Sequence, residues 1–187
     1  MTSLSYPDLG DPEIALRAWR TEDAEVQLAG LNDPLFLRYS DAAAVSRDQV
    51  VRRIAAVDRL REAGTAVYLA IVAAADRDEV LGEASLSGID PTQRRASVGY
   101  WLVPAARGRG AATRAVRLLA GWAFGELALA RLELTCGPDN LGSQQVARRA
   151  GFQQEGLLRS HLAFKGGRRD SLIFGLLPSD LAGPATS

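Results

Sequence analysis

One stretch near the middle of the chain constrains the fold more than any other, because it joins a strand to a helix through a glycine-rich turn. Residues 98–116 read VGYWLVPAARGRGAATRAV. The apolar run ends at Pro104, and beyond the turn Val116, Leu119 and Ala123 repeat at helical spacing. A strand that runs directly into an amphipathic helix is typical of an α/β sheet domain, with the turn at one edge of the sheet.

The rest of the chain follows the same alternation. Strand-like and helix-like segments follow the order β–α–α–β–β–β–α–β–α–β–β, which predicts a mixed sheet of about seven strands with about four helices. We expect a single α/β domain over residues 1–187, with an ordered core at about 14–177. Residues 1–12 and 178–187 are rich in proline, glycine, serine and aspartate, so loose termini are predicted there.

Composition excludes several classes of protein. Basic and acidic residues number 22 each, so neither nucleic acid nor an acidic membrane surface is an expected partner. Cys136 is the only cysteine, which excludes an intrachain disulfide and the paired-cysteine metal sites. The N-terminus lacks a secretory pattern, and the longest apolar run is too short to span a bilayer. We therefore expect a cytoplasmic protein without a metal.

The glycine turn has the features of a site for a phosphate-bearing ligand. A helix N-terminus leaves several N–H groups without partners, and the helix dipole adds positive potential there. Gly108 and Gly110 would let a ligand approach the main chain, while Arg107 and Arg109 would add charged donors. An ordinary strand-to-helix turn has the same shape, so shape alone leaves both interpretations open.

Two common phosphate motifs do not fit this turn. A P-loop requires a lysine followed by serine or threonine, and no lysine lies here. A dinucleotide-binding fingerprint requires a third glycine, which Thr113 replaces, and it belongs to the first strand of a βαβ unit. A dinucleotide enzyme is therefore the weaker alternative.

The turn does match the pattern R-x-x-G-x-[G/A], with Arg107, Gly110 and Ala112 at the specified positions. This pattern resembles the pyrophosphate-binding motif of the GCN5-related N-acetyltransferases (GNAT superfamily), which bind acetyl-CoA. Further stretches resemble, in order, the branch that contains ribosomal-protein N-terminal acetyltransferases: LRAWRTEDA, NLGSQQVARRAGF, QEGLLR and RRDSLIFGLL. One departure is the pair Ala111–Ala112, where the family more often has a large residue followed by glycine.

The resemblance implies a mostly antiparallel sheet in which two strands, GYWLV and LELTC, splay apart to form an acetyl-CoA cleft. Main-chain groups near Trp101 and Leu102 would pair with the pantetheine arm, as an added strand would. Asn140 and Ser143 would face the same arm, although both could equally be plain helix caps. The cofactor-binding residues implied are Trp101, Leu102, Arg107, Gly108, Arg109, Gly110, Ala111, Ala112, Thr113, Asn140 and Ser143.

The reaction implied is attack of a neutral primary amine on the thioester, within a ternary complex. Positioning and hydrogen-bond donors would supply much of the rate. Glu83 and Glu155 are the candidate general bases, because both are predicted on strands that line the cleft. Ser143 resembles the position proposed to protonate the departing sulfur, and Tyr100 is an alternative for that role.

The acceptor is the least defined part of the prediction. Phe36, Tyr39 and Asp41 lie in a loop that would cover the acceptor side, where they would form a pocket or simply pack a lid. A protein N-terminus and a small-molecule amine, such as an antibiotic, both remain open as acceptors, and the protein would be a monomer or a homodimer. An acetyl-CoA sensor of the same fold without turnover is the alternative from another functional class.

Overall fold

The computed structural model describes residues 3–181, and within that range eight strands form one sheet. The strands are β1 (Leu9–Gly10), β2 (Ile14–Ala18), β3 (Val67–Ala73), β4 (Val80–Asp90), β5 (Arg95–Leu102), β6 (Arg131–Cys136), β7 (Gln153–Phe164) and β8 (Gly167–Leu176). The helices are α1 (Ala24–Leu31), α2 (Pro34–Tyr39), α3 (Arg47–Glu62), α4 (Ala111–Gly125), α5 (Leu141–Ala150) and α6 (Pro178–Leu181).

The strands lie in the order β1-β2-β3-β4-β5-β6-β8-β7. Every neighbouring pair is antiparallel except β5 and β6, which are parallel because α4 crosses over between them. The predicted mixed, mostly antiparallel α/β sheet is therefore confirmed. The structure adds the short strand β1 and the helices α2 and α6 to the predicted elements.

Both faces of the sheet are covered, so the two sides of each central strand are buried. On one face, α4 and α5 pack over a core that includes Leu69, Leu119 and Phe174. On the other face, α1 and α3 pack over a smaller cluster that includes Val50 and Trp101. Burying each such large side chain contributes about 1.5–3 kcal/mol, so the two layers hold the central strands firmly in register.

The limits of α3 and α2 follow from local sequence signals. Ser46 and Gln49 form the predicted capping box at the start of α3, and Gly64 follows its end with a φ of 70°. Asp33 caps α2 by accepting hydrogen bonds from the N–H groups of Leu35 and Phe36, immediately before Pro34 at the first helical position. This second signal places a helix inside a stretch that we expected to be a loop.

The N-terminal segment differs from the expected loose end. Leu9 and Gly10 pair with β2, and Tyr6 donates a hydrogen bond of 3.0 Å to Asp58 on α3. The Arg61 guanidinium also lies over the Tyr6 ring, 4.6 Å from its centroid, so an aromatic contact fixes a segment of polar composition. Residues 1–2 and 182–187 of the predicted loose ends lie outside the described part of the chain.

None of the helices in residues 3–181 has the length and apolar character needed to cross a membrane.

Candidate functional site

The site lies where β5 and β6 separate. These strands pair only at three positions, from Arg95 with Arg131 to Ser97 with Glu133. Beyond Ser97 they diverge, and a cleft of about 500 Å³ occupies the gap between them. The predicted splay of this strand pair is thus present, and it opens one edge of each strand in the middle of the sheet.

Strand alternation determines which main-chain groups of β5 face the cleft. The Val103 N–H donates to the Leu81 carbonyl at 2.9 Å, just beyond the end of β5. Because main-chain groups alternate in direction along a strand, those of Trp101, two residues earlier, also point at β4. The amide groups of Tyr100 and Leu102 therefore point toward the gap. The main chain of Trp101, which we predicted to face the pantetheine arm, instead pairs with β4, and its indole stacks on Trp19 in the core beneath α1.

The glycine turn closes one end of the cleft. Gly110 is the N-cap of α4 and has a φ of 85°, and Gly108 has a φ of 75°, both in the left-handed region that favours glycine. The N-cap position makes no side-chain capping bond, so the first N–H groups of α4 keep no capping partner. Ala112 and Thr113 line the cleft beside the two glycines, whereas the side chain of Ala111 packs into the core.

Arg107 differs from its expected role as a phosphate ligand. Its guanidinium donates to the Leu102 carbonyl from two nitrogens and forms a 2.5 Å ion pair with Asp33. The residue therefore braces the turn against β5 and α2. Arg109 is exposed and lines an adjoining groove with Arg149, and this groove shares Gly110 with the cleft.

A hydrogen bond between Tyr100 and Ser143 crosses the middle of the cleft. The Tyr100 hydroxyl donates to Ser143 Oγ at 2.9 Å. Asn140 caps α5 by accepting from the Ser143 N–H at 3.0 Å, so its alternative role as a helix cap is present in the structure. Burial raises the pKa of Tyr100 to about 12, and it also raises the pKa of the neighbouring Cys136 thiol. Tyr100 is therefore a neutral donor over the working range of pH.

The structure does not bring either predicted base to the cleft. Glu83 is 4% exposed, and both of its carboxylate oxygens accept 2.8 Å hydrogen bonds from the Arg53 guanidinium on α3. Glu155 on β7 forms a two-pronged ion pair with Arg131. Each carboxylate is therefore held by an arginine at a place outside the lining of the cleft. Within residues 3–181, no Asp or Glu side chain lines the cleft.

The structure brings two of the three residues predicted on the acceptor side to the cleft. Phe36 and Tyr39 line the cleft, together with Leu35 and Ser40, and we call these four residues the α2 wall. Asp41 lies outside the lining, where its carboxylate accepts a hydrogen bond from the Lys165 N–H. Asp41 therefore does not supply the cleft with a carboxylate that could hold a cationic acceptor.

Three residues of the site escaped sequence reasoning. Asp33 carried a signal, since an aspartate before proline marks a helix start. Arg169 and Gly137 carried no signal in the sequence. The Arg169 guanidinium packs against Gly137 so closely that a Cβ at position 137 would lie only 1.7 Å from Nη2. Glycine is therefore required at this wall of the cleft because of a side chain from a distant strand.

The cleft fits an elongated ligand with an anionic group at one end. Unpaired N–H groups at the start of α4 suit a diphosphate, and the open edge of β5 beside Ser143 suits an amide-bearing arm. Among residues 3–181, no three or more His, Cys, Asp or Glu side chains are grouped in a way that could hold a metal ion.

Comparison with known families agrees with this geometry. Residues 13–153 match the model of the acetyltransferase (GNAT) domain. N-acetyltransferase p20 of Bacillus licheniformis is 32% identical over 171 residues, which cover 91% of this chain and 96% of that protein. The ribosomal-protein-serine acetyltransferase of Escherichia coli is 37% identical over 82 residues, covering 44% of this chain and 46% of that protein.

A solved structure with the same fold carries the donor molecule. The microcin C7 self-immunity acetyltransferase MccE, in complex with acetyl-CoA and AMP, superposes with a TM-score of 0.80 at 26% identity. The match covers 89% of this chain and 93% of that one.

Proposed function

This chain belongs to the acetyltransferase (GNAT) domain family, and on that premise we propose that it transfers an acetyl group from acetyl-CoA to a primary amine by direct attack in a ternary complex. It is an acetyl-CoA-dependent N-acetyltransferase. The observation that carries the finer proposal is the continuity of the cleft, which runs from the anion-binding turn past Tyr100 and Ser143 to the α2 wall.

The donor binds along the open edge of β5. Main-chain N–H groups from Gly108 to Thr113 hold the diphosphate, and the main-chain groups of Tyr100 and the Leu102 N–H pair with the pantetheine arm as a neighbouring strand would. The exposed groove beside the turn, with Arg109 and Arg149, accommodates the nucleotide end. Arg107 contributes indirectly, because it holds the turn in place.

Acetyl-CoA supplies an activated thioester when bound, so the chain has to position the reactants and stabilise the charge that develops. Ser143 directs its hydroxyl at the sulfur end of the cleft. Because Tyr100 donates to Ser143 Oγ, the serine proton is free to bond to the departing thiolate. A thiol of pKa about 8.5 is already a fair leaving group, so this donor assists the step without being obligatory.

The acceptor is an amine that loses its proton without a buried carboxylate. An α-amine has a pKa of about 7.7–8.0, against about 10.4 for lysine, so a useful fraction of it is neutral at neutral pH. Because Glu83 and Glu155 are engaged with arginines away from the cleft, the proton of the amine passes to water. This favours α-amines, which a protein N-terminus and an aminoacyl antibiotic both contain.

Release of CoA thiol with a panel of amines tests the proposal. The panel contains short peptides with free N-termini, the same peptides with acetylated N-termini and a free lysine side chain, and small aminoacyl compounds. We expect thiol release that requires a free α-amine. Tight acetyl-CoA binding without amine-dependent thiol release would instead support the sensor alternative.

A further inference from the structure

Helix α2 is fixed to the cofactor turn at its N-terminus. The Asp33 carboxylate caps α2 by accepting from the N–H groups of Leu35 and Phe36 at 3.0 and 3.2 Å. The same carboxylate forms the 2.5 Å ion pair with Arg107, and its side chain is only 10% exposed. One carboxylate thus joins the start of α2 to the turn that binds the diphosphate.

The other end of α2 is fixed to the loop that follows β6. The Tyr39 hydroxyl donates to the Asp139 main-chain carbonyl at 3.3 Å, and Arg169 donates to the Tyr39 carbonyl at 3.4 Å. Arg169 also forms a 2.6 Å ion pair with the Asp139 side chain. Asn140, which lines the cleft, is the next residue of this loop.

The α2 wall therefore spans the cleft between two loops that border the bound donor. Arg107, which lies in the turn, also donates to the Leu102 carbonyl at the end of β5. It therefore connects the turn with both β5 and α2. The Asp33 carboxylate is thus bonded both to Arg107 in the turn and to the Phe36 N–H in the α2 wall.

We propose that Asp33 is a positioning residue that couples the two substrates: donor binding at the turn fixes Arg107, and the Asp33–Arg107 pair then fixes the α2 wall for the acceptor. This inference rests on the proposed function, since it assumes that CoA occupies the turn. Coupling of this kind is reciprocal, so the acceptor also raises the affinity for CoA.

The substitution Asp33→Asn separates coupling from helix capping. Asparagine caps a helix about as well as aspartate, so α2 should remain folded. Asparagine removes the negative charge that holds Arg107, and with it the strong contact between the turn and α2. A merely structural role in capping predicts no change in ligand affinity, whereas the proposed role predicts a loss of coupling.

The measurement is calorimetric binding of a peptide acceptor, chosen from the amine panel, with and without saturating CoA. In the wild-type protein we expect CoA to tighten peptide binding at least about fivefold, a typical size for coupling between sites. In Asp33→Asn the ratio should fall to about one. The double variant Asp33→Asn/Arg107→Gln should show the same ratio as either single variant, because all three lack the same contact.

Asp78→Asn is the matched control, because it also removes the carboxylate of an ion pair with an arginine, Arg20. The Asp78 side chain is 81% exposed and lies in no part of the cleft lining. This control should keep the wild-type ratio. An Asp33→Asn protein that keeps the wild-type ratio overturns the inference. If Asp33→Asn does not fold, Arg107→Gln tests the same contact with the cap intact. Wild-type protein that binds no CoA contradicts the proposed function itself.

Discussion

The Tyr100 hydroxyl donates a 2.9 Å hydrogen bond to Ser143 Oγ, joining β5 to α5 across a gap in which the main chains make no ladder. Both residues line the cleft. Because burial raises the pKa of Tyr100 to about 12, its hydroxyl stays protonated and holds the serine oxygen in one orientation. This contact gives the catalytic proposal its most direct test.

Tyr100→Phe removes the donor to Ser143 while preserving the ring. We expect kcat to fall by about tenfold, less than the usual 10²–10⁴ for a general acid, because the thiol is a fair leaving group. Steady-state kinetics measures the change, and Ser143→Ala should lower kcat to a similar extent. The double variant should be no slower than either single one, and additive losses would show that the two residues act separately.

The pH dependence of kcat/KM reports which group deprotonates. With a peptide α-amine as acceptor, kcat/KM should rise with a midpoint of about 8, the pKa of the amine itself. It should then stay level to about pH 10, because the pKa of Tyr100 is about 12 and its hydroxyl remains a donor throughout. A decrease above pH 9 that Tyr100→Phe abolishes would contradict this assignment.

Gly110→Val should weaken donor binding. Gly110 has a φ of 85°, which valine adopts only with strain, although a Cβ at this position would meet no neighbouring atom within 4 Å. Because the strained backbone would displace the turn that presents these N–H groups, we expect the KM for acetyl-CoA to rise by at least about tenfold, equivalent to about 1.4 kcal/mol of binding. Gly125→Val, at the far end of α4, is the control and should leave this KM unchanged.

Glu83→Gln should affect stability and leave the pH–rate profile unaltered. The carboxylate is buried and bonded through both oxygens to Arg53, whose side chain is 26% exposed. Loss of the charged contact should cost about 2 kcal/mol of unfolding free energy, measured by denaturant titration. A midpoint of kcat/KM that shifts in this variant would restore Glu83 as a candidate base.

Asp23→Asn should be the more destabilising change. Asp23 and Arg17 form an ion pair whose side chains are 7% and 8% exposed, and the variant leaves a buried guanidinium without its counterion. We expect a loss of about 3 kcal/mol in unfolding free energy. The exposed pair of Arg20 and Asp78 provides the control, since Asp78→Asn should cost less than about 1 kcal/mol.

The Asp23 carboxylate also makes the free energy of unfolding depend on pH in the acid range. Burial acts to raise the pKa of Asp23, but the bonds from Arg17 and the Arg20 N–H outweigh it and hold the pKa below 3.8. Stability from this ion pair is therefore present above about pH 4 and is lost as the pH falls through the lower, folded-state pKa. Asp23→Asn should show a flatter decline of unfolding free energy between pH 5 and 2 than the wild type.

Features of the fold and the site were predictable from the sequence where they depend on residues close together in the chain. The turn at Gly108–Gly110 is encoded by neighbouring residues, and the strand and helix around it follow from local periodicity. Glu83 was a reasonable candidate base as a polar residue on a strand. Its partner Arg53 lies 30 residues away on α3, and the pairing follows only from how that helix packs.

The role of Arg107 was mistaken for the same reason. A charged residue in a phosphate motif is naturally read as a ligand, but Asp33 lies 74 residues earlier in the chain. Helix α2 was missed because only six residues form it, and a short apolar stretch shows too little periodicity. Phe36 and Tyr39 of this stretch nevertheless line the cleft, and their role toward the acceptor stays a prediction.

The three-pair seam between β5 and β6 has a consequence for stability. Strands β1–β5 and strands β6–β8 form two slabs, and their shared hydrogen-bonded edge is shorter than any strand flanking it. Apart from the two-position pairing of β1 with β2, this seam has the fewest paired positions of any strand contact in the described sheet. A donor that pairs with the open edge of β5 would extend the hydrogen bonding of the first slab into this gap, so donor binding is expected to stabilise the sheet where its own pairing is short.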